Sequence, residues 1–353
     1  MIRVDDQNVP SCAVLSRYDP GRSRKVSKTR MQATAIAHPN IALVKYWGKT
    51  DQGQNLPAVG SLSITLDGLA TTTRVSFNPA ANSDRFVFAG RAVPAMLSRV
   101  SACLDDLRRR VDVTTRAVVE SDNDFPTAAG LASSASGFAA LVVAADAALG
   151  AGLPAGELAE FARRASGSAA RSIFGGFVEL SLVDSGRRTE TRQLLEPEVW
   201  PLRVAIAVTE TGPKMVGSTE GMLRTELTSP YYPAWVASSP ADLSEARTAV
   251  DRRDFEALAN VSESSCLKMH AVMMAARPGL FYWNGSTVEC IRRVRQLRAD
   301  GVPVFFTIDA GPQVKAICLP EAFENVRNEL AAVRGVERVL SSGLGEGARV
   351  VEK

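Results

Sequence analysis

Residues 124–137 read DFPTAAGLASSASG and run straight into FAALVVAADAAL at 138–149. Between Thr127 and Gly137 only Leu131 is large; every other position is Gly, Ala, Ser or Thr. Pro126 pre-sets an entry turn, and the apolar run that follows fits a buried helix. Small residues let backbone N–H groups approach a ligand closely. A helix N-terminus aims its unpaired N–H groups and the positive end of its dipole at an anion. One reading is therefore a phosphate cradle. The other is a small-residue helix face packed tightly on a sheet. The stretch is not a Walker loop, since no Gly-Lys-Ser/Thr follows it. The rest of the chain has to decide.

The chain has 353 residues, beyond the size at which single cores stop growing, so two domains are expected. With 46% hydrophobic and 22% charged residues it has an ordinary globular composition. A net charge of +3 is too small to argue for nucleic acid, although a local basic cluster can still attract a polyanionic metabolite. No uninterrupted apolar run reaches membrane-spanning length, and the N-terminus lacks the apolar core of a signal peptide. Five cysteines (Cys12, Cys103, Cys266, Cys290, Cys318) without CxxC spacing argue for reduced thiols in a cytoplasmic protein. Only His38 and His270 are histidines, which leaves His-based triads and His-rich metal sites little room. Chemistry here would rest on carboxylates, lysines, arginines and a metal–nucleotide.

Residues 1–30 are polar and basic with no sustained periodicity, and we expect them to form a flexible arm. From residue 31, SLSITLDGL, TTTRVSF and RFVFAG read as strands, and AMLSRVSACLDDLRRRV as a helix. The strand TRAVVESDND leads into the opening loop and its helix, and PAGELAEFARRASGSAARSIFGG reads as a further helix. The strands GFVELSLV and PLRVAIAV flank a seam near Glu196–Pro201. Beyond it come helices at SEARTAVDRRDFEALANVSESSCLKMHAVMMA, STVECIRRVRQLRAD and PEAFENVRNELAAV, with strands at VPVFFTID and QVKAICL. The expectation is an α+β protein of two domains, 31–198 and 199–353, with a cleft between them.

Four segments carry candidate chemistry. In HPNIALVKYWGK, Lys45 and Lys49 either meet phosphates or snorkel beside Tyr46 and Trp47. In RRASGSAARSIFGG, Ser166, Ser168 and Arg171 sit among small residues, where Arg171 either grips an anion two-pronged or closes a helix end. TGPKMVGSTEGM offers Lys214, Ser218 and Thr219 in a glycine-rich loop that suits phosphate or merely an exposed turn. VPVFFTIDAGP delivers Asp309 at the end of an apolar strand, as a rigidly held base or as an ordinary turn-former.

Together these segments resemble the GHMP kinase superfamily and, within it, the mevalonate diphosphate decarboxylases. PNIALVKYWGK, FPTAAGLASSASG, SGSAARSIFGGFVE, GSTEGM and DAGP stand in family order from about Gln32 onward. The resemblance implies the two-domain GHMP architecture, a homodimer, and ATP-dependent decarboxylation of mevalonate 5-diphosphate to isopentenyl diphosphate. It implies a nucleotide loop of Pro126, Ala128, Gly130, Leu131, Ser133, Ser134 and Ser136. It further implies Asp309, Lys45 and Arg171 as catalytic residues, with Tyr46, Lys49, Ser166, Ser168 and Ser218 beside Arg171 as substrate contacts. Mg²⁺ would be carried on the ATP phosphates.

The chain departs from the family at LPAVGSLSITL, where Val59 and Gly60 replace the usual Asn-Ser before Ser61. The loss of an amide and a hydroxyl either alters a hydrogen bond to nucleotide or substrate, which bears on the choice between a diphosphate and a monophosphate, or merely repacks a turn; the reaction class is the same in both cases. A related monophosphate decarboxylase or 3-kinase is the nearest alternative, and a catalytically inactive ligand sensor on the same fold is one from another class. Retention of both Asp309 and Lys45 weighs against a kinase-only relative, and retention of these two with the phosphate loop weighs against the sensor; side-chain identity does not separate a monophosphate from a diphosphate substrate.

Overall fold

A computed structural model describes residues 31–125, 133–212 and 214–352. In chain order the first half holds β1 (Gln32–Ala37), β2 (Asn40–Val44), β3 (Lys49–Asp51), β4 (Leu56–Pro57), β5 (Ser61–Thr65), β6 (Thr71–Asn78), β7 (Arg85–Phe88), β8 (Arg91–Ala92), α1 (Pro94–Val111), β9 (Arg116–Asn123), α2 (Ser133–Leu149), α3 (Ala155–Ala165), β10 (Phe177–Val183) and β11 (Arg188–Leu195). The second half holds β12 (Arg203–Val208), α4 (Ser218–Thr228), α5 (Tyr232–Arg252), α6 (Phe255–Met274), α7 (Gly285–Ala299), β13 (Val304–Ile308), β14 (Val314–Cys318), α8 (Phe323–Ala331), β15 (Arg338–Ser342) and β16 (Arg349–Glu352).

Among the described residues three main sheets form, in the orders β16-β1-β6-β9-β7-β8, β11-β10-β5-β2 and β13-β14-β12-β15. Along β6, TTTRVSFN alternates buried and outward residues, the period-two signature of a strand with one covered face. The face is covered by α2, whose run FAALVVAADAAL has no polar stripe and is buried almost throughout. Ala139, Ala140, Ala144 and Ala145 are fully buried and let the helix lie close to β1 and β6. The packing reading of the opening stretch holds for its described helix, whose start, Ser133 and Ser134, opens on a cleft.

A second core joins the halves. Leu43, Leu62 and Ile64 from β2 and β5 meet Val204, Ile206 and Phe305 from β12 and β13, with Leu243, Ala246 and Leu258 of α5 and α6. The last strand also crosses over, since β16 pairs antiparallel with β1 (Thr34↔Glu352, Ala35↔Val350, Ile36↔Arg349). The expected second unit, 199–353, is thus not closed in space. Its final strand is an edge of the first half's largest sheet.

Three elements differ from the sequence expectation, each for a local reason. The helix α3 stops at Ala165, where Ser166 turns extended (φ −153°, ψ 116°), and a 3-10 turn follows at Ala169–Ser172. A Cβ at Gly167 would collide with the Tyr46 hydroxyl, so the chain passes that ring only as glycine. The long helix expected from Ser244 is two helices. Arg253 adopts a left-handed conformation (φ +55°), and the Asp254 side chain caps α6 by accepting from the Ala257 N–H at 3.0 Å. The glycine-rich loop at 211–222 becomes helical from Ser218, with Gly217 as its N-cap.

Candidate active site

A cleft of about 510 Å³ lies between the halves. The chain leaves β2 at Val44 and turns before β3, so Lys45, Tyr46, Trp47 and Lys49 all face the cleft rather than alternating away from it. The break after α3 brings Ser166, Gly167, Ser168 and Arg171 to the same wall. Ser133 and Ser134 come from α2, Lys214 from the segment before α4, and Ser218 and Thr219 from its first turn. Asp309, at the end of β13, closes the far side. Its lining has five cationic side chains (Lys45, Lys49, Arg99, Arg171, Lys214) against one carboxylate, Asp309, among the described residues. Such a surface concentrates polyanions.

Lys45 is 1% exposed, and its Nζ donates to Asp309 Oδ1 at 2.7 Å. Its backbone N–H is fixed by Ser265 Oγ at 3.0 Å. Asp309 Oδ2 is held by Lys315 Nζ at 3.2 Å. Burial alone would raise the Asp309 pKa, but the two ammonium groups outweigh it and hold the carboxyl well below the usual carboxylate range. Lys315 itself is pushed down by burial, against the pull of Asp309.

Arg171 is 2% exposed and lies over the Tyr46 ring. Its Nη1 donates to Ser61 Oγ at 2.6 Å and its Nε to Asn40 Oδ1 at 3.3 Å. Asn40 is pinned in turn by donating Nδ2 to the Ser168 carbonyl at 3.0 Å and to Ser172 Oγ at 2.8 Å. Burial lowers the Arg171 pKa to about 10, which leaves it cationic at neutral pH. With Nε and Nη1 engaged, Nη2 is left for a ligand. The Tyr46 hydroxyl is buried with no hydrogen-bond partner and its pKa is pushed up by burial to about 12, so it remains a neutral donor. A buried hydroxyl without a partner beside an anion-attracting wall fits a site completed by a bound molecule.

Lys49 donates to Asn55 Oδ1 at 2.6 Å, and burial lowers its pKa. Lys214 lies with its ammonium 5.9 Å from the centre of the Tyr282 ring, its pKa also lowered chiefly by burial. Ser166 Oγ reaches Ser134 Oγ at 3.5 Å, joining the two small-residue segments. Ser136 goes elsewhere: fully buried, it shares a 2.6 Å hydrogen bond with Thr71 Oγ1 and lines neither this cleft nor the cavity beside it. Pro126, Ala128, Gly130 and Leu131 lie outside the described residues.

The second cavity, about 310 Å³, shares Ser133, Ser134 and Arg99 with the cleft but is otherwise walled mainly by apolar side chains, Phe86, Phe88, Val93, Met96, Val119 and Phe138 among them, with Thr71, Thr73, Ser121 and Asn123 as its polar members. A polar, cationic chamber thus opens into an apolar one. Sequence reasoning missed this cavity, along with Arg99, Asn40 and Lys315. For Lys315 a signal existed, a lone lysine in the apolar strand VKAIC.

At LPAVGS, Val59 is 2% exposed and packs with Trp47, Met222 and Trp235. A side chain at Gly60 would meet Leu243 at 2.6 Å and the Leu180 carbonyl at 3.1 Å. Neither residue lines the cleft, so the departure from the family pattern is a change of packing.

Residues 37–190 match the family model of the diphosphomevalonate decarboxylase-like N-terminal domain, and 204–347 that of the mevalonate 5-diphosphate decarboxylase C-terminal domain. The chain is 35% identical over 329 residues to the diphosphomevalonate decarboxylase of Schizosaccharomyces pombe, covering 87% of this chain and 84% of that one. Its fold matches mevalonate diphosphate decarboxylase from Staphylococcus aureus with a TM-score of 0.86 at 35% identity, covering 91% and 98% of the two chains. It matches MDDEF, solved in complex with MVAPP, AMPPCP and magnesium, with a TM-score of 0.84 at 38% identity, covering 91% and 99%. The matches extend across both halves and the cleft between them: this chain belongs to the diphosphomevalonate decarboxylase family.

Proposed function

We propose that the cleft catalyses the ATP-dependent decarboxylation of mevalonate 5-diphosphate to isopentenyl diphosphate, with ADP, phosphate and carbon dioxide as the other products. The observation that carries this reading is the Asp309–Lys45 pair at 2.7 Å on the rim of a cationic cleft that continues into an apolar cavity. The apolar cavity suits an adenine ring. Ser133 and Ser134 at its mouth suit the nucleotide phosphates, and Arg99 stands at the junction. Lys49, Tyr46 and Ser218 suit the substrate diphosphate, and the free Nη2 of Arg171 its carboxylate.

The first step joins the 3-hydroxyl oxygen to the γ-phosphorus and breaks the bond to the β–γ bridging oxygen. Asp309 orients the hydroxyl by accepting its hydrogen bond. A carboxylate held this far below its usual range is a weak base, so the proton leaves late, which a loose phosphoryl transfer permits. Lys45 and Lys214 supply positive charge beside the moving phosphoryl group. Phosphate then departs with the C3–O bonding electrons. The C1–C2 electrons become the new alkene as carbon dioxide leaves, and Arg171 releases the carboxylate it held. Bound Mg²⁺ supplies further charge neutralisation on the triphosphate. The described residues contain no group of three or more metal-ligating side chains, and an ion carried by phosphate oxygens requires few protein ligands.

The test is the purified protein with Mg-ATP and, separately, mevalonate, its 5-phosphate and its 5-diphosphate, with ADP and carbon dioxide both measured. Both products from the diphosphate alone are expected. Turnover of the monophosphate at a higher kcat/KM would overturn the substrate assignment. No helix among the described residues is long and apolar enough to cross a membrane, and Cys103, Cys266, Cys290 and Cys318 are free. The free thiols support a reducing, cytoplasmic setting. Family resemblance supports a homodimer, which sedimentation equilibrium tests.

A further inference from the structure

Lys315 has no part in the family pattern read from the sequence, yet it touches the residue on which the reaction turns. It lies on β14, opposite Ile206 of β12 and Thr307 of β13, and is 2% exposed. Its Nζ reaches Asp309 Oδ2 at 3.2 Å. It does not line the catalytic cleft. It lines a small separate cavity of about 10 Å³ beside Asp309, together with Asn40, Ile41, Leu66 and Ile206. Lys45 therefore approaches the carboxylate from the cleft, and Lys315 from the side of this small cavity. Burying an ammonium in an apolar strand is costly, and an apolar side chain of similar volume would be neutral or stabilising there. Stability alone does not account for a lysine at this position.

We propose that Lys315 is a positioning residue for the phosphoryl-transfer step: from the side of the small cavity, it clamps Oδ2 of Asp309 and so fixes the rotation of the carboxylate that the 3-hydroxyl meets. Held at both oxygens, Asp309 cannot turn its lone pairs away from the cleft. Nor does it pick up a proton as the pH falls, so its acceptor stays available. The other titratable and charged groups around Asp309 are Lys45 after β2, Lys214 before α4, Arg171 after α3, and His270 and Cys266 on α6. His270 is buried and held neutral, its pKa lowered to about 3 by burial, and the Cys266 thiol is raised by burial, so neither competes for the proton near neutrality. Among the described residues, removing Lys315 leaves Lys45 as the only ammonium in contact with the carboxylate.

The proposal rests on the decarboxylase reading, and the experiment separates the two. Wild type, Lys315→Met and Lys315→Gln are assayed with Mg-ATP and mevalonate 5-diphosphate from pH 5 to 9, alongside thermal melts. For both variants kcat is expected to fall about tenfold or more while both KM values change less than about threefold. In carboxyl-carbon NMR at acidic pH the ionisation of Asp309 is expected to move up by about one to three pH units in both variants, the effect of losing an adjacent opposite charge. The substrates' own ionisations are common to all three proteins and cancel in the comparison. An unmoved Asp309 ionisation, or a loss of kcat that merely follows the folded fraction, overturns the proposal. A wild-type protein that releases no carbon dioxide from the diphosphate overturns the functional reading instead. Should neither variant fold, carboxyl-carbon NMR of wild type decides, with Asp309→Asn identifying the signal. Ionisation well below about 3.9 is expected, and an ordinary titration near that value overturns the clamp.

Discussion

Replacing Asp309 by Asn tests chemistry and stability together. The amide is nearly isosteric, but it sets a neutral group between two ammonium groups that are 1% and 2% exposed and lie 2.7 and 3.2 Å from the carboxylate. ADP and carbon dioxide formation are expected to fall in step, by about 10²–10⁴, because the oriented acceptor of the 3-hydroxyl is gone. Stability is expected to fall as well. The fold can always relieve the unpaired charge by shedding a proton from one lysine. For a lysine of ordinary pKa near 10.4 at pH 7.4 this costs about 4 kcal/mol, which sets the ceiling. The amide oxygen still accepts from one ammonium, so about 2–4 kcal/mol is expected.

The pH dependence carries the sign. The Lys315 pKa is already lowered in the folded protein and drops further in the variant, so the folded state binds fewer protons than the unfolded one. The variant's deficit therefore shrinks as pH rises toward about 10. Urea melts of both proteins at pH 7 and pH 9, with ADP and carbon dioxide assayed at pH 7, give the two readouts. A variant that keeps near-full turnover would reduce Asp309 to a turn-former. A deficit independent of pH would refute the buried-charge account. ADP formed without carbon dioxide would move Asp309 to the second step.

Arg171→Lys keeps the charge but cannot serve Ser61, Asn40 and a ligand from one planar fork, so kcat/KM for the diphosphate should drop at least about 100-fold; near-normal kinetics would make Arg171 structural. Gly167→Ala drives a methyl into the Tyr46 hydroxyl and should cost about 1–3 kcal/mol and most of the activity; unchanged kinetics in the folded variant would show that Tyr46 is free to move. Ser134→Ala should raise the KM for ATP with little effect on the melting temperature. Ser136→Ala, which loses the buried bond to Thr71, should instead lower the melting temperature by an amount equivalent to about 1 kcal/mol and spare the KM. An exchange of these two phenotypes would place Ser136 in the nucleotide site.

The strands β5, β6 and β9 and the helices α1 and α2 were legible because burial is one-sided or complete along each, and periodicity records that directly. The four segments with candidate chemistry do converge on one cleft, since each interrupts a regular element with small residues or a strand end. What the sequence did not reveal is tertiary. The end of α3 depends on a glycine passing Tyr46, a ring more than a hundred residues earlier in the chain. The helix beginning at Ser218 starts among glycines that read locally as a turn. Lys315 passes for an outward strand residue until the partner that makes it buried, Asp309, is set beside it across a tight turn. Ser136 looks equivalent to Ser133 and Ser134, yet the helical turn rotates it onto β6.

The pairing of β16 with β1 has a consequence for how the molecule is made. The first sheet is built from residues 32–123 except for one edge, which is supplied by residues 349–352. As the chain leaves the ribosome, the exposed flank of β1 stays open until residues 349–352 have emerged, a template for pairing with a neighbouring nascent chain. Closing that flank joins segments more than three hundred residues apart, a slow contact by loop-closure entropy. Synthesis of the first half alone should therefore yield an aggregation-prone species, soluble only when the missing strand is supplied in trans.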